Sequence, residues 1–248
     1  MRVDVGYEFL PKTASLRSSQ VMDHFGIGFE VGRKVIAEGL DLQIRKGDIV
    51  CFTGESGAGK SSLMRAVAKK LKGVTDLNEL SLREEPLIDH LGLSFEEGVE
   101  LLSGCGLSEA RLMLRTPAEL SDGERYRFRL ALGLIQQGEW LVGDEFTATL
   151  DRTLARVVAY NLQKRARRMG KGVLVATTHE DIVGDLNPDV HVDCRLEGIE
   201  VRRLGNDGEG IAKKKCAALR SGCRSRPERN GTGRIFLSGI TGVTRSAS

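Results

Sequence analysis

No apolar run in this chain of 248 residues approaches the ~18 consecutive residues that a membrane span needs. The first residues include Arg2, Asp4 and Glu8 and no long apolar stretch, so they do not read as a secretory signal. None of the five cysteines (Cys51, Cys105, Cys194, Cys216, Cys223) forms a C-x-x-C pair, so no zinc module is indicated. Their odd number and irregular spacing suit a reducing compartment. A cytoplasmic protein is therefore expected, soluble or at most docked on a membrane partner. Aromatic residues are scarce at 5%. There is no internal repeat, so any site motif is present once per chain. The remainder is ordinary for a globular chain, with 40% hydrophobic and 29% charged residues. The length allows one sizeable domain plus an appendage, or two small domains. The net charge of +3 is unevenly spread: Gly205 to Ser248 hold nine Lys/Arg and three Asp/Glu, a tail of +6, which leaves −3 on residues 1–204.

The most informative stretch is residues 54–61, Gly-Glu-Ser-Gly-Ala-Gly-Lys-Ser. Its G-x-x-x-x-G-K-S pattern is that of a phosphate-binding P-loop. The preceding residues Asp48 to Thr53 are apolar and β-prone and read as a buried strand. The following residues Ser61 to Leu71 read as a helix with Leu63, Val67 and Leu71 on one face. In that setting Gly54, Gly57 and Gly59 let the backbone turn tightly and approach a polyphosphate. The amides of Gly54, Glu55, Ser56, Gly57, Ala58 and Gly59 then form an anion nest, reinforced by the helix N-terminus. Lys60 reaches toward β- and γ-phosphates, Ser61 offers a hydroxyl to Mg²⁺, and Ser62 supports the helix start. The loop implies a nucleotide without naming the P-loop family.

Elsewhere the pattern is less regular. Residues 1–24 form a separate N-terminal segment in this reading, with Val3, Val5, Tyr7 and Phe9 alternating as in a short strand. Gly26 to Val31 and Val35 to Ile44 suggest antiparallel strands about a turn at Gly32. Residues 72–93 are loop-rich. Residues 94–104 and 108–115 look like a small helical subdomain, with stripes Phe95, Val99, Leu102 and Leu107, Leu112, Leu114. Ser121-Asp-Gly-Glu124 is a capping box that opens another helix. Trp140 to Gly143 is a short buried strand delivering Asp144 and Glu145 at its C-terminal end, where active-site groups of open α/β sheets are expected. Residues 152–169 form a helix with Leu154, Val157, Val158 and Leu162 inward. Its basic end, Lys164 to Arg168, suits the helix dipole and reads as a solvated helix end rather than a nucleic-acid site. Val173 to Thr177 is the next strand and delivers His179. Two short strands follow Val190 and end near Leu204. The tail 205–248 reads as poorly ordered, with a truncated further domain as the alternative.

In this order, Leu120-Ser-Asp-Gly-Glu124, Leu141-Val-Gly-Asp-Glu145, Ala148-Thr-Leu-Asp151 and Thr177-Thr-His179 resemble the signature, Walker B, D-loop and switch-histidine motifs of ABC-type ATPases. The resemblance covers residues 25–204. It implies an α/β fold, a P-loop NTPase of ABC type: a mixed central sheet with an antiparallel β subdomain and a small helical subdomain carrying the signature. It also implies the chemistry. ATP and Mg²⁺ bind, Asp144 and Ser61 hold the metal, Glu145 is the general base, His179 contacts the γ-phosphate, and Lys60 steadies it. Ser121, Gly123 and Asp151 act across a head-to-tail homodimer formed on ATP binding. For adenine stacking, Phe29 comes first and Phe25 second.

Two departures bear on what the ATPase drives. No glutamine occurs between Ser61 and Gln136, so the family's usual Q-loop residue is absent, and Glu84 or Glu85 is the nearest substitute. Only about 60 residues separate Lys60 from Ser121, shorter than in transporter subunits. The reading that follows is a soluble, non-transporter ATPase working a partner protein or an attached domain. Phe25-Gly-Ile-Gly-Phe29 and the basic continuation are similar to ABC-type ATPases carrying a C-terminal acetyltransferase domain, here nearly all missing. The alternatives are the ATP-binding subunit of a membrane transporter, with a permease as partner, and a DNA-maintenance ATPase whose basic tail meets nucleic acid.

Overall fold

The computed structural model describes residues 1–8, 13, 15–27, 33–195 and 197–204. In chain order the elements are β1 (Arg2–Glu8), α1 (Leu16–Phe25), β2 (Arg33–Asp41), β3 (Ile49–Gly54), α2 (Lys60–Ala68), β4 (Val74–Asp76), α3 (Leu87–His90), α4 (Phe95–Gly104), α5 (Ala110–Met113), α6 (Asp122–Ile135), β5 (Trp140–Gly143), α7 (Arg152–Met169), β6 (Gly172–Ala176), α8 (Val183–Leu186), β7 (Val190–Arg195) and β8 (Gly198–Arg203). The expected α/β architecture is present. A six-stranded sheet has the order β4-β5-β6-β3-β7-β8, parallel from β4 to β7, with β8 antiparallel at one edge. The central strands β3, β5 and β6 are buried along their full length, which is why they read as continuous apolar runs.

The two faces of the sheet have separate cores. On one face Ile49, Leu77, Leu141 and Val173 pack with Leu87, Leu102, Phe128, Val158 and Leu162, so the helical region α3–α6 shares a core with α7. On the other, Val50, Phe52, Leu63, Met64 and Leu174 pack with Val3, Val5 and Leu40. Val3 and Val5 thus place β1 in the core on this face, whereas α1 buries no residue. The antiparallel pairing also differs from expectation. The partner of β2 is β1, paired from Arg2↔Asp41 to Glu8↔Arg33 with register shifts on either side of Val5. Gly26 instead terminates α1 in the left-handed conformation (φ 63°), and the Ile27 amide donates to Met22 at 2.8 Å.

Helical stripes are mostly where the periodicity puts them, with local exceptions. Val157 is turned outward, and α7 packs through Ala155, Val158, Ala159, Leu162 and Ala166. Phe95 and Leu114 are exposed, whereas Leu101, Leu102 and Leu112 are buried. The basic end of α7 is tied within the fold: Arg165 binds the Glu100 carbonyl at 2.7 Å, and Arg167 binds the Asn187 carbonyl at 2.8 Å and Asp189 at 3.2 Å. No helix among the described residues is long and apolar enough to cross a membrane.

Candidate active site

The topology brings three loops to one sheet edge. β5, β6 and β3 are parallel neighbours, so their C-terminal ends lie side by side. Two backbone bonds stitch them together there: Thr177 N–H donates to the Phe52 carbonyl at 2.9 Å, and Phe146 N–H to the Ala176 carbonyl at 2.7 Å.

From β3 comes the P-loop. Gly54 has φ 129°, and a Cβ there would fall 1.8 Å from the Cys194 carbonyl oxygen on β7. Only glycine fits. Gly57 and Gly59 are also left-handed, at φ 81° and 91°. The Lys60 ammonium is buried and donates to the carbonyls of Gly54 (2.7 Å) and Glu55 (2.6 Å), inside the curl of the loop. No side chain caps the start of α2. The first-turn amides and their partial positive charge therefore face the loop interior, a setting that suits a phosphate anion.

From β5 comes Asp144. Its Oδ1 accepts from the Ser61 hydroxyl at 2.8 Å, and its Oδ2 from Arg65 Nη2 at 2.9 Å. A hydroxyl and a carboxylate oxygen at this separation are hard donors suited to Mg²⁺, which takes few protein ligands and shares phosphate oxygens. The described residues hold no cluster of three or more His, Cys, Asp or Glu able to cage a metal. The Ser61–Asp144 donor pair fits Mg²⁺ bound together with a nucleotide.

Glu145 is exposed beside it, its amide held by Asp144 Oδ1 at 3.0 Å. Glu145 (φ 52°) and the fully buried Thr147 (φ 65°) both take the left-handed conformation, which costs non-glycine residues roughly 1–3 kcal/mol. The strained turn has a consequence. Thr147 Oγ1 lies 3.3 Å from His179 Nδ1, and the His179 amide donates to Thr177 Oγ1 at 3.0 Å, so the histidine is braced by the turn after β5 and by its own loop after β6.

Ser121 and Gly123 open α6, and their hydrogen bonds remain within its first turns. The Ser121 hydroxyl and amide donate to Glu124 at 2.8 and 2.9 Å, and the Gly123 carbonyl accepts from Arg127 at 3.2 Å. Asp151 caps α7 through Leu154 N–H at 3.0 Å. Phe29 lies outside the described residues, as does the basic tail. Phe25 is exposed at the end of α1, against His24. Glu85 is engaged by Arg83 at 2.7 Å in the helical region, whereas the strand beside β5 is β4, which ends in Asp76.

Four residues around this site escaped the sequence reading. Arg65 is one turn beyond Ser61, so helical spacing alone identifies it. Thr147, Tyr126 and Asp76 carry no local signal, because contacts between distant segments bring them here.

A P-loop, a Walker B carboxylate pair and a switch histidine on one parallel sheet edge, with a signature helix beyond, define an ATP-binding cassette. The ABC transporter family model matches residues 37–91. The aliphatic sulfonates import ATP-binding protein SsuB of Pseudomonas putida is 30% identical over 209 residues, spanning 73% of this chain and 74% of that protein. The lipoprotein-releasing system ATP-binding protein LolD of Novosphingobium aromaticivorans is 29% identical over 185 residues, 58% of this chain and 82% of that protein. Among solved structures, the dimeric bacterial ABC transporter cassette MJ0796 shares the fold with TM-score 0.58 at 17% identity, covering 83% of this chain and 99% of that one. The chain belongs to the ABC family of ATP-binding cassettes and is an ATPase of that class.

Proposed function

We propose that this chain is the ATP-hydrolysing subunit of a membrane transporter, driving a permease through ATP-dependent pairing of two copies. The observation that carries the ATPase part is the 2.8 Å junction of Ser61 with Asp144, which joins the phosphate loop to the carboxylate edge. The transport part is supported by the relatives, LolD and SsuB, both ATP-binding proteins of named release or import systems.

Lys60 exchanges its carbonyl partners for β- and γ-phosphate oxygens when ATP enters the loop. Ser61 and Asp144 would hold Mg²⁺, which would supply electrostatic stabilisation of the charge developing on the phosphates. Arg65 keeps the Asp144 carboxylate turned toward Ser61. Glu145 orients the attacking water and takes its proton as general base. His179, braced by Thr147, contacts the γ-phosphate. Ser121, Gly123 and Asp151 share no hydrogen bond with their own P-loop; in this reading they close over the nucleotide of the second copy, with the N-terminus of α6 facing the γ-phosphate. A symmetric homodimer completes two such sites from one cassette.

The deciding test is affinity capture of the tagged chain from solubilised membranes in its native host. A stoichiometric multi-span membrane protein is the expected companion. Recovery of only soluble partners, with ATPase activity intact, would overturn the transport assignment and leave the enzyme. A second reading has one observation in its favour: no glutamine lies between Ser61 and Gln136. It is a non-transporter ABC ATPase that works a soluble partner or an attached domain, and soluble companions in the same capture would favour it.

A further inference from the structure

Tyr126 lies on α6, one turn beyond the signature, yet its hydroxyl lies under the Walker B edge. That hydroxyl is buried and has no hydrogen-bond partner. It packs on Gly143, the last residue of β5: a Cβ built there would lie 3.0 Å from the Tyr126 oxygen and 3.1 Å from Leu77 Cδ1. The aromatic ring leans on Phe146, with centroids 6.5 Å apart. Tyr126 therefore occupies space that a side chain at 143 would fill, and it is held between the residues preceding and following the Asp144–Glu145 pair.

The surroundings of the hydroxyl are acidic. β4 and β5 pair in parallel with Asp76 opposite Val142, so β4 ends as β5 delivers Gly143 and Asp144. Asp76, Asp144 and Glu145 all act electrostatically on the phenol and, after burial itself, hold its proton in place. A buried donor left unsatisfied carries the full penalty of its lost hydration. The phenol oxygen lies against Gly143, the residue that precedes Asp144, and no acceptor among the described residues takes its proton.

We propose that Tyr126 is a positioning residue for hydrolysis: its hydroxyl donates, through one bridging water, to the carboxylate layer of Asp76, Asp144 and Glu145. It ties the signature helix to the catalytic edge in a chain that has no glutamine between the P-loop and the signature. The inference rests on the ATPase reading of that edge and extends it to two residues that no motif marks.

Tyr126→Phe removes only the hydroxyl. If the group merely fills space, the variant turns over ATP like the parent and is at least as stable. If it positions the carboxylates, kcat falls about 10- to 100-fold, while KM for ATP, nucleotide affinity by fluorescence titration and melting temperature stay near the parent values. Asp76→Asn is expected to give the same split, and the double variant to lose no more than the worse single one. An unchanged kcat in Tyr126→Phe overturns the proposal. So do additive losses, and so does a kcat that falls only in step with melting temperature. Should Tyr126→Phe not fold, Asp76→Asn decides alone, since unchanged turnover there removes the carboxylate layer the hydroxyl is said to serve. Glu145→Gln separates the two levels. If it abolishes turnover while Tyr126→Phe is inert, only the present inference falls. If Glu145→Gln still hydrolyses ATP, the general-base assignment falls on its own.

Discussion

At the residue scale, the P-loop illustrates how a few atoms set limits on substitution. The Lys60 ammonium is shared by two loop carbonyls, inside the curl of the loop. Lys60→Ala is expected to weaken nucleotide binding by roughly one to two powers of ten, checked by fluorescence titration; unchanged affinity would contradict the assignment. Gly54→Ala is a different kind of failure. A methyl group 1.8 Å from the Cys194 carbonyl forces β3 and β7 apart, so a loss of roughly 3 kcal/mol of stability is expected by denaturant titration. The buried cysteines, by contrast, are inert packing: burial pushes the thiols of Cys51 and Cys105 up to about 12, away from thiolate chemistry.

At the element scale, two helices start with the same device and are expected to respond differently. α4 begins with Ser94 and Glu97, and α6 with Ser121 and Glu124, each pair satisfying the other's backbone amide. Ser94→Ala is predicted to cost about 1 kcal/mol of stability and leave ATP turnover unchanged. Ser121→Ala is predicted to cost a similar amount and also to lose turnover, because in the proposed function its hydroxyl meets the nucleotide of the second copy. Thermal melts and steady-state kinetics on the two variants separate the roles. Equal kinetic behaviour would remove Ser121 from the reaction.

At the scale of the whole molecule, the prediction concerns assembly. Glu145→Gln keeps the phosphate loop and the metal donors, so it should bind ATP, hydrolyse it about 10²- to 10⁴-fold more slowly, and elute as a dimer in ATP and as a monomer without it. A monomer in both conditions would contradict the in-trans closure. Stability should also depend on pH. Burial, with Arg202 nearby, holds the His191 pKa below its usual value against the opposing pull of Asp193, Glu180 and Glu200, and its Nε2 lies 2.8 Å from Thr53 Oγ1. The unfolded chain then binds more protons near the ordinary pKa of about 6.5. That part of the stability is present above about pH 6.5 and is lost as the pH falls through the depressed folded value. Melting temperature should drop on acidification, and His191→Gln should flatten the drop; an unaltered profile in that variant would place the effect elsewhere.

Much of this protein is written locally. The run of small residues from Gly54 to Gly59, the spacing of Ser121 and Glu124, and the carboxylates after an apolar strand are each set by neighbours within a few positions. Backbone sterics, capping and strand burial act over that range, and so the order of motifs was readable before any coordinates. The tertiary structure alone decided that β2 pairs with β1 across an intervening helix. It decided that Arg65 and Ser61 both reach Asp144, that Thr147 braces His179, and that a tyrosine from the signature helix fills the space left by Gly143. Those contacts join segments far apart in the chain. Their energies come from burial and packing that exist only once the parallel strands have assembled, so no local pattern announces them.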